Sequence, residues 1–104
     1  MIQIPFSYNW NNKLDCQAFT TIRIYQPQKH CAGVRVEPVL KGTSYGPATI
    51  MDVKPFMLDK LNSFIAYLDT GYSVEECRGI ILRMYPKIDF TQKQLALILM
   101  VKDK

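Results

Sequence analysis

The run Leu95-Ala96-Leu97-Ile98-Leu99-Met100-Val101 contains no polar residue to turn toward solvent. A helix that crosses a membrane takes roughly 18 or more apolar residues, and this run is far shorter. Its length suits a strand, and a strand apolar on both faces has to be covered on both faces. The rest of the chain must therefore supply neighbouring strands and a layer of cover.

Neighbours are legible upstream. Phe19 to Tyr25 is β-branched and aromatic with a period of two, the pattern of a strand. Ile22 and Ile24 point to one side, and Phe19, Thr21, Arg23 and Tyr25 to the other. Val34 to Leu40 predicts a second strand, with Pro38 arguing for a sheet edge or a bulge. Lys41-Gly42-Thr43-Ser44-Tyr45-Gly46 reads as a hairpin loop, and Ala48 to Lys54 as the returning strand, stopped by Pro55. Before these, residues 5–18 read as a loop with a helical turn over 10–16.

Cover comes from two helices. Leu58, Leu61, Phe64, Ile65 and Leu68 repeat at helical spacing and predict one apolar face, ended by Asp69-Thr70-Gly71. Ser73-Val74-Glu75-Glu76 has the form of a capping box, opening a helix from Val74 to about Met84 that buries Val74, Cys77, Ile80, Ile81 and Met84. Pro86 closes it. The fold class is α+β: a small mixed sheet or open barrel, with two helices inserted before the last strand and packed to one side. The first and last strands must meet to use that cover.

The 104 residues fit one domain spanning 1–104, and the apolar share of 48% is enough for a single core. The start, Met1-Ile2-Gln3-Ile4-Pro5, lacks the basic and apolar stretches of a signal peptide, so a cytoplasmic location and no membrane partner are expected. Cys16, Cys31 and Cys77 form no CxxC pair, and His30 is the one histidine; neither a disulfide framework nor a metal or other cofactor is indicated. A charge of +4 and a pI near 9.0 permit a polyanionic partner without requiring one.

Three features resemble the ASCH branch of the PUA-like superfamily. Phe19-Thr20-Thr21-Ile22-Arg23 is similar to that family's T-I-R strand. Gly33-Val34-Arg35-Val36 is similar to its G-D-x-x-x-V strand start, although Val34 stands where an Asp is usual. Leu58 to Pro86 ends in Tyr85-Pro86 before an apolar strand, as in the small single-domain members that include the acetylcytidine amidohydrolases. The resemblance implies a PUA-like open β-barrel whose cleft takes RNA or a nucleoside. In the amidohydrolases a Lys, a Thr and a Glu surround the bond that is cleaved. By position the Thr falls on Thr21 and the Glu on Glu76, but the Lys falls on Ala18. Without that amine, a threonine hydroxyl is a weak nucleophile.

Each candidate has a plain structural reading beside the functional one. Thr21 and Arg23 share a strand face, so they line a cleft together or serve as an ordinary strand residue and a rim charge. Glu76 faces that cleft or caps its own helix at N3. Arg35 on the next predicted strand would extend Arg23 into a stripe that tracks phosphates, with Tyr25 and Tyr45 stacking bases beside it. Lys29, His30 and Lys41 add to the basic balance of this region. Cys31 beside His30 is a weaker nucleophile candidate, because sequence neighbours seldom align.

Three functions follow. The favoured one is a non-catalytic module for RNA or a nucleotide, which leaves Thr21, Arg23, Tyr25 and Arg35 as ligand-binding residues. The second is an amidohydrolase of an acylated pyrimidine nucleoside, with Thr21 and Glu76 catalytic and an amine such as Lys13 replacing the lost Lys. The third is a protein-interaction domain, marked by an apolar patch over the Pro38 strand.

Overall fold

The computed structural model describes residues 1–103. Its strands are β1 (Ile2–Phe6), β2 (Ala18–Ile24), β3 (Arg35–Leu40), β4 (Thr43–Ser44), β5 (Ala48–Phe56) and β6 (Leu95–Lys102). Its α-helices are α1 (Ser63–Thr70) and α2 (Val74–Met84), and short 3-10 turns cover Trp10–Asp15 and Leu58–Lys60. The strands form one mixed sheet in the order β1-β3-β5-β6-β2, with β4 paired to β3. The sheet does not close: β1 and β2 are its two ends.

The apolar run is the sheet's hub. β6 pairs antiparallel with β5 on one side and with β2 on the other, from Ala18↔Val101 to Ile24↔Leu95. The predicted meeting of the strand at Phe19 with the apolar run is thus present. Leu95, Ala96, Ile98 and Met100 are buried. The two faces carry separate cores. One joins Ile4, Phe6, Phe19, Val36, Ile50, Ile98 and Met100 inside the curl of the sheet. The other sets Ile22, Leu58, Leu61, Cys77, Ile81 and Leu95 beneath the helices. Leu99 lies past this helical cover and is partly exposed, so β6 is covered on both faces over only part of its length.

Three expectations need correction. Pro38 is fully buried and internal, flanked by β1 from Val36 to Leu40. It sits where the neighbour on the other side changes from β5 to β4, and there Tyr45 donates its amide to the Pro38 carbonyl. A strand residue's N–H and C=O point to the same side, so the missing N–H falls at this junction, where neither β4 nor β5 is in register with Pro38, and not in the β1 ladder. Pro55 likewise does not stop β5, which continues to Phe56 opposite Leu95. The side of β5 away from β6 meets β3 only near its start, which leaves the Pro55 stretch at an edge.

The third correction concerns Leu58 to Leu68. The expected single helix is broken: the 3-10 turn holds Leu58, and α1 begins only after Asn62, whose side chain accepts the Ile65 amide at 3.0 Å. Rephasing the helix turns Ala66, Asp69 and Thr70 inward. Phe64 and Leu68, expected in the core, are 79% and 68% exposed, and Met84, expected in the buried stripe of α2, is exposed as well. β1 was not anticipated at all. The hairpin loop is tighter than expected, with positive φ at both Lys41 (49°) and Gly42 (84°), as a two-residue primed turn requires.

Candidate binding cleft

Where the sheet fails to close, its two ends face each other through side chains. Phe6 of β1 meets Phe19 of β2 edge to face, with centroids 6.2 Å apart. The Arg23 guanidinium lies 4.7 Å from the centre of the Phe6 ring. A cleft opens along this seam. Its walls include Phe6, Tyr8, Trp10, Thr21, Arg23 and Tyr85, with Lys13 and Asp69 within it and α2 contributing Cys77, Ile80 and Ile81.

The segment before β2 shapes one end. Asn11 and Asn12 adopt left-handed backbone (φ 58° and 52°), which Asn tolerates better than most residues. The Asn9 side chain accepts the Leu14 amide at 2.8 Å. This compact turn buries Lys13 and sets Trp10 between Tyr8 and Tyr72, at centroid distances of 4.6 and 5.9 Å. Gly71 ends α1 with φ 80°, close beside Asn11; an added Cβ would stand 3.3 Å from the Asn11 Oδ1.

Lys13 and Asp69 form the buried pair of the cleft. Nζ donates to Oδ1 at 2.6 Å, and both side chains are about 5% exposed. The Thr20 hydroxyl donates to the same oxygen at 2.9 Å. Burial pushes the Lys13 amine down from its ordinary pKa and the Asp69 carboxyl up, and each is opposed by its partner's charge. Burial also raises the pKa of the Cys77 thiol, which keeps it protonated.

Arg23 is different. Its Nε donates to Thr21 Oγ1 at 3.1 Å, and the terminal Nη amines have no protein partner. They are not sealed from solvent either, since every sealed side-chain polar atom among the described residues is hydrogen-bonded. Ion pairs among the described residues are Lys13–Asp69 and Arg35–Asp103, so Arg23 has none. Burial lowers its pKa, against the influence of Tyr85 and Asp69, yet a guanidinium stays charged at neutral pH. The cleft therefore holds two cations against one carboxylate.

Among the residues expected at the site, Thr21 and Arg23 both line this cleft and touch through Nε and Oγ1. Arg35 does not join them. β3 and β2 are separated by β5 and β6, and Arg35 is exposed and held by Asp103 at 2.8 Å, so no Arg23–Arg35 stripe exists. Tyr25 lies outside the cleft, with its ring against His30 at 6.5 Å. Tyr45 lies under Lys102, with Nζ 5.7 Å from its ring. Glu76 acts as the cap: Ser73 Oγ accepts its amide and donates to its carboxylate at 3.0 Å, and the side chain lines a separate groove. Cys31 turns to the Pro27 carbonyl, and His30 accepts from the Gln26 amide, so they form no Cys–His pair. Sequence reasoning missed Asp69, which looked like a helix end, and named Lys13 only as a replacement amine.

Comparison with known proteins adds nothing to this geometry. No family model matches the chain, and no curated protein or solved structure matches it. Among the described residues no group of three or more His, Cys, Asp or Glu could hold a metal, and no helix is long and apolar enough to cross a membrane.

Proposed function

We propose that this domain is a non-catalytic binding module for a nucleotide, gripping its phosphate with Arg23 in the cleft between β1 and β2. One observation carries the reading: a largely buried guanidinium lines the cleft with its terminal amines free and no carboxylate in ion-pair contact with it, Asp69 being taken by Lys13. Such a cation is costly to bury alone, and an incoming phosphate would accept its fork of donors in a bidentate pair. The cavity favours a small anionic group. It is small, about 40 Å³, which suits a compact phosphoryl group better than a nucleobase. Tyr8 and Trp10 at the cleft offer that base an aromatic surface. An unclosed sheet whose ends flank a ligand cleft is also what a PUA-like open barrel implies.

The test is a titration of uridine and cytidine 5′-monophosphates, inorganic phosphate and the bare nucleosides, at two salt concentrations. The monophosphates should bind more tightly than the nucleosides and weaken with salt. Arg23→Met should cost at least about 10-fold in affinity, the value of one charge-assisted hydrogen bond. Equal binding by Arg23→Met, or none by any phosphate at millimolar concentration, would sink the reading.

A second reading, an amidohydrolase, has one observation in its favour: Lys13, Thr21 and a carboxylate, Asp69 in place of Glu76, share the cleft. Against it, the Lys13 amine is bound to Asp69 and so is a poor base for the Thr21 hydroxyl. Consumption of N4-acetylcytidine, lost in Thr21→Val, would decide for the enzyme.

A further inference from the structure

Arg23, Tyr85 and Pro5 border the cleft on one side and a second groove on the other. The second groove is larger, about 230 Å³ against about 40 Å³ for the cleft. Gln26, Lys29 and His30 line it together with Arg23, and none of its lining residues is acidic. His30 is 7% exposed. Its Nδ1 accepts the Gln26 amide at 3.1 Å, which puts the ring proton of the neutral form on Nε2. Nε2 has no protein partner, yet it is not sealed, so its N–H is free to meet a ligand. The Tyr25 ring lies alongside the imidazole, with centroids 6.5 Å apart and planes inclined at 30°. A buried ring, anchored at one nitrogen with the other free beside a lysine and an arginine, is a prepared anion donor.

Resting on the nucleotide reading above, we infer that the groove of Lys29 and His30 is a second phosphate subsite, so that the ligand is the phosphorylated end of a single nucleic-acid strand. The smaller cleft is assigned the terminal phosphoryl group. The strand then leaves past Arg23 and Tyr85, and its next phosphate meets the His30 N–H and the Lys29 ammonium. The empty groove disfavours a charged imidazole: burial and the neighbouring Arg23 and Lys29 charges lower the His30 pKa. A phosphate there reverses the balance of charge and raises it.

His30 is the only histidine, so its ring proton resonances report this groove without ambiguity. The experiment compares uridine 5′-monophosphate, the dinucleotide UpU and its 5′-phosphorylated form pUpU, on wild type and on Lys29→Gln, an exposed substitution that leaves the fold intact. The expectation is that pUpU binds at least about 10-fold more tightly than the monophosphate or UpU. It should also raise the His30 pKa further than the monophosphate does. Lys29→Gln should reduce that advantage and leave monophosphate affinity unchanged. If pUpU and the monophosphate bind equally, and shift His30 equally, the second subsite is refuted while the nucleotide reading stands. If none of the three binds, both fall together.

Discussion

Replacing Lys13 by Met leaves the Asp69 carboxylate inside the protein with only the Thr20 hydroxyl to hold it. An ion pair this buried, broken from one side, typically costs about 3–5 kcal/mol, because the remaining charge has lost both water and partner. Domains of this size hold roughly 5–15 kcal/mol in total, so the variant should be near the edge of folding. Its Tm should fall by about 15–30 °C. The loss should depend on pH, with a definite sign. The folded pKa of Asp69 already lies above its ordinary value, and removing the opposing ammonium raises it further. Between the unfolded and the folded pKa the folded state binds more protons, so stability falls as pH rises through that window. The deficit of Lys13→Met is therefore largest at pH 7 and shrinks toward pH 4, by at most about 1.4 kcal/mol per pH unit for one group. Lys13→Met combined with Asp69→Asn should recover most of it, since a neutral amide oxygen still accepts from Thr20. Urea unfolding at pH 7 and pH 4.5 checks all three statements. A deficit below about 1 kcal/mol, the value of an exposed pair, or one flat with pH would refute the reasoning.

Other substitutions probe the rest of the structure. Gly71→Ala forces a side chain into left-handed backbone beside Asn11 and should cost about 1–2 kcal/mol in denaturant unfolding. Ser73→Ala removes the α2 cap and should cost about 1 kcal/mol, whereas Glu76→Gln should leave nucleotide affinity unchanged by titration calorimetry. Phe64→Ser and Leu68→Ser should each change stability by less than about 0.5 kcal/mol, because both side chains are exposed on α1.

What was legible in the sequence followed from period and capping. In β2, Ile22 and Ile24 alternate with Thr21 and Arg23, so the Thr21–Arg23 face could be assigned in advance, and Ser73 with Glu76 fixed the start of α2. α1 defeated the same logic. Leu58 and Leu61 belong to one turn and Phe64 and Leu68 to another, and the Asn62 cap between them shifts the helical phase. β1 was passed over although Ile2, Ile4 and Phe6 alternate with Gln3 and Pro5, because five residues give a period little length to show, and its stability comes from parallel pairing with β3. Arg35 misled for a topological reason, since these strands, consecutive in sequence, have two others between them in the sheet. Asp69 was missed because a lone acid before Thr-Gly looks like a helix end, and only packing against Lys13 and Thr20 makes it part of a site.

The pairing of β2 with β6 also bears on how the molecule comes into being. Ala18 waits for Val101, so the cleft's main wall is held by contacts distant in the chain. Closing such a loop costs entropy before any contact repays it, which slows folding. During synthesis the Arg23 edge stays unpaired until β6 has emerged, an open strand available to the wrong neighbour. Folding yield should therefore depend on β6 more steeply than its share of the core suggests, and the nascent domain should resist proteases only once that strand is in place.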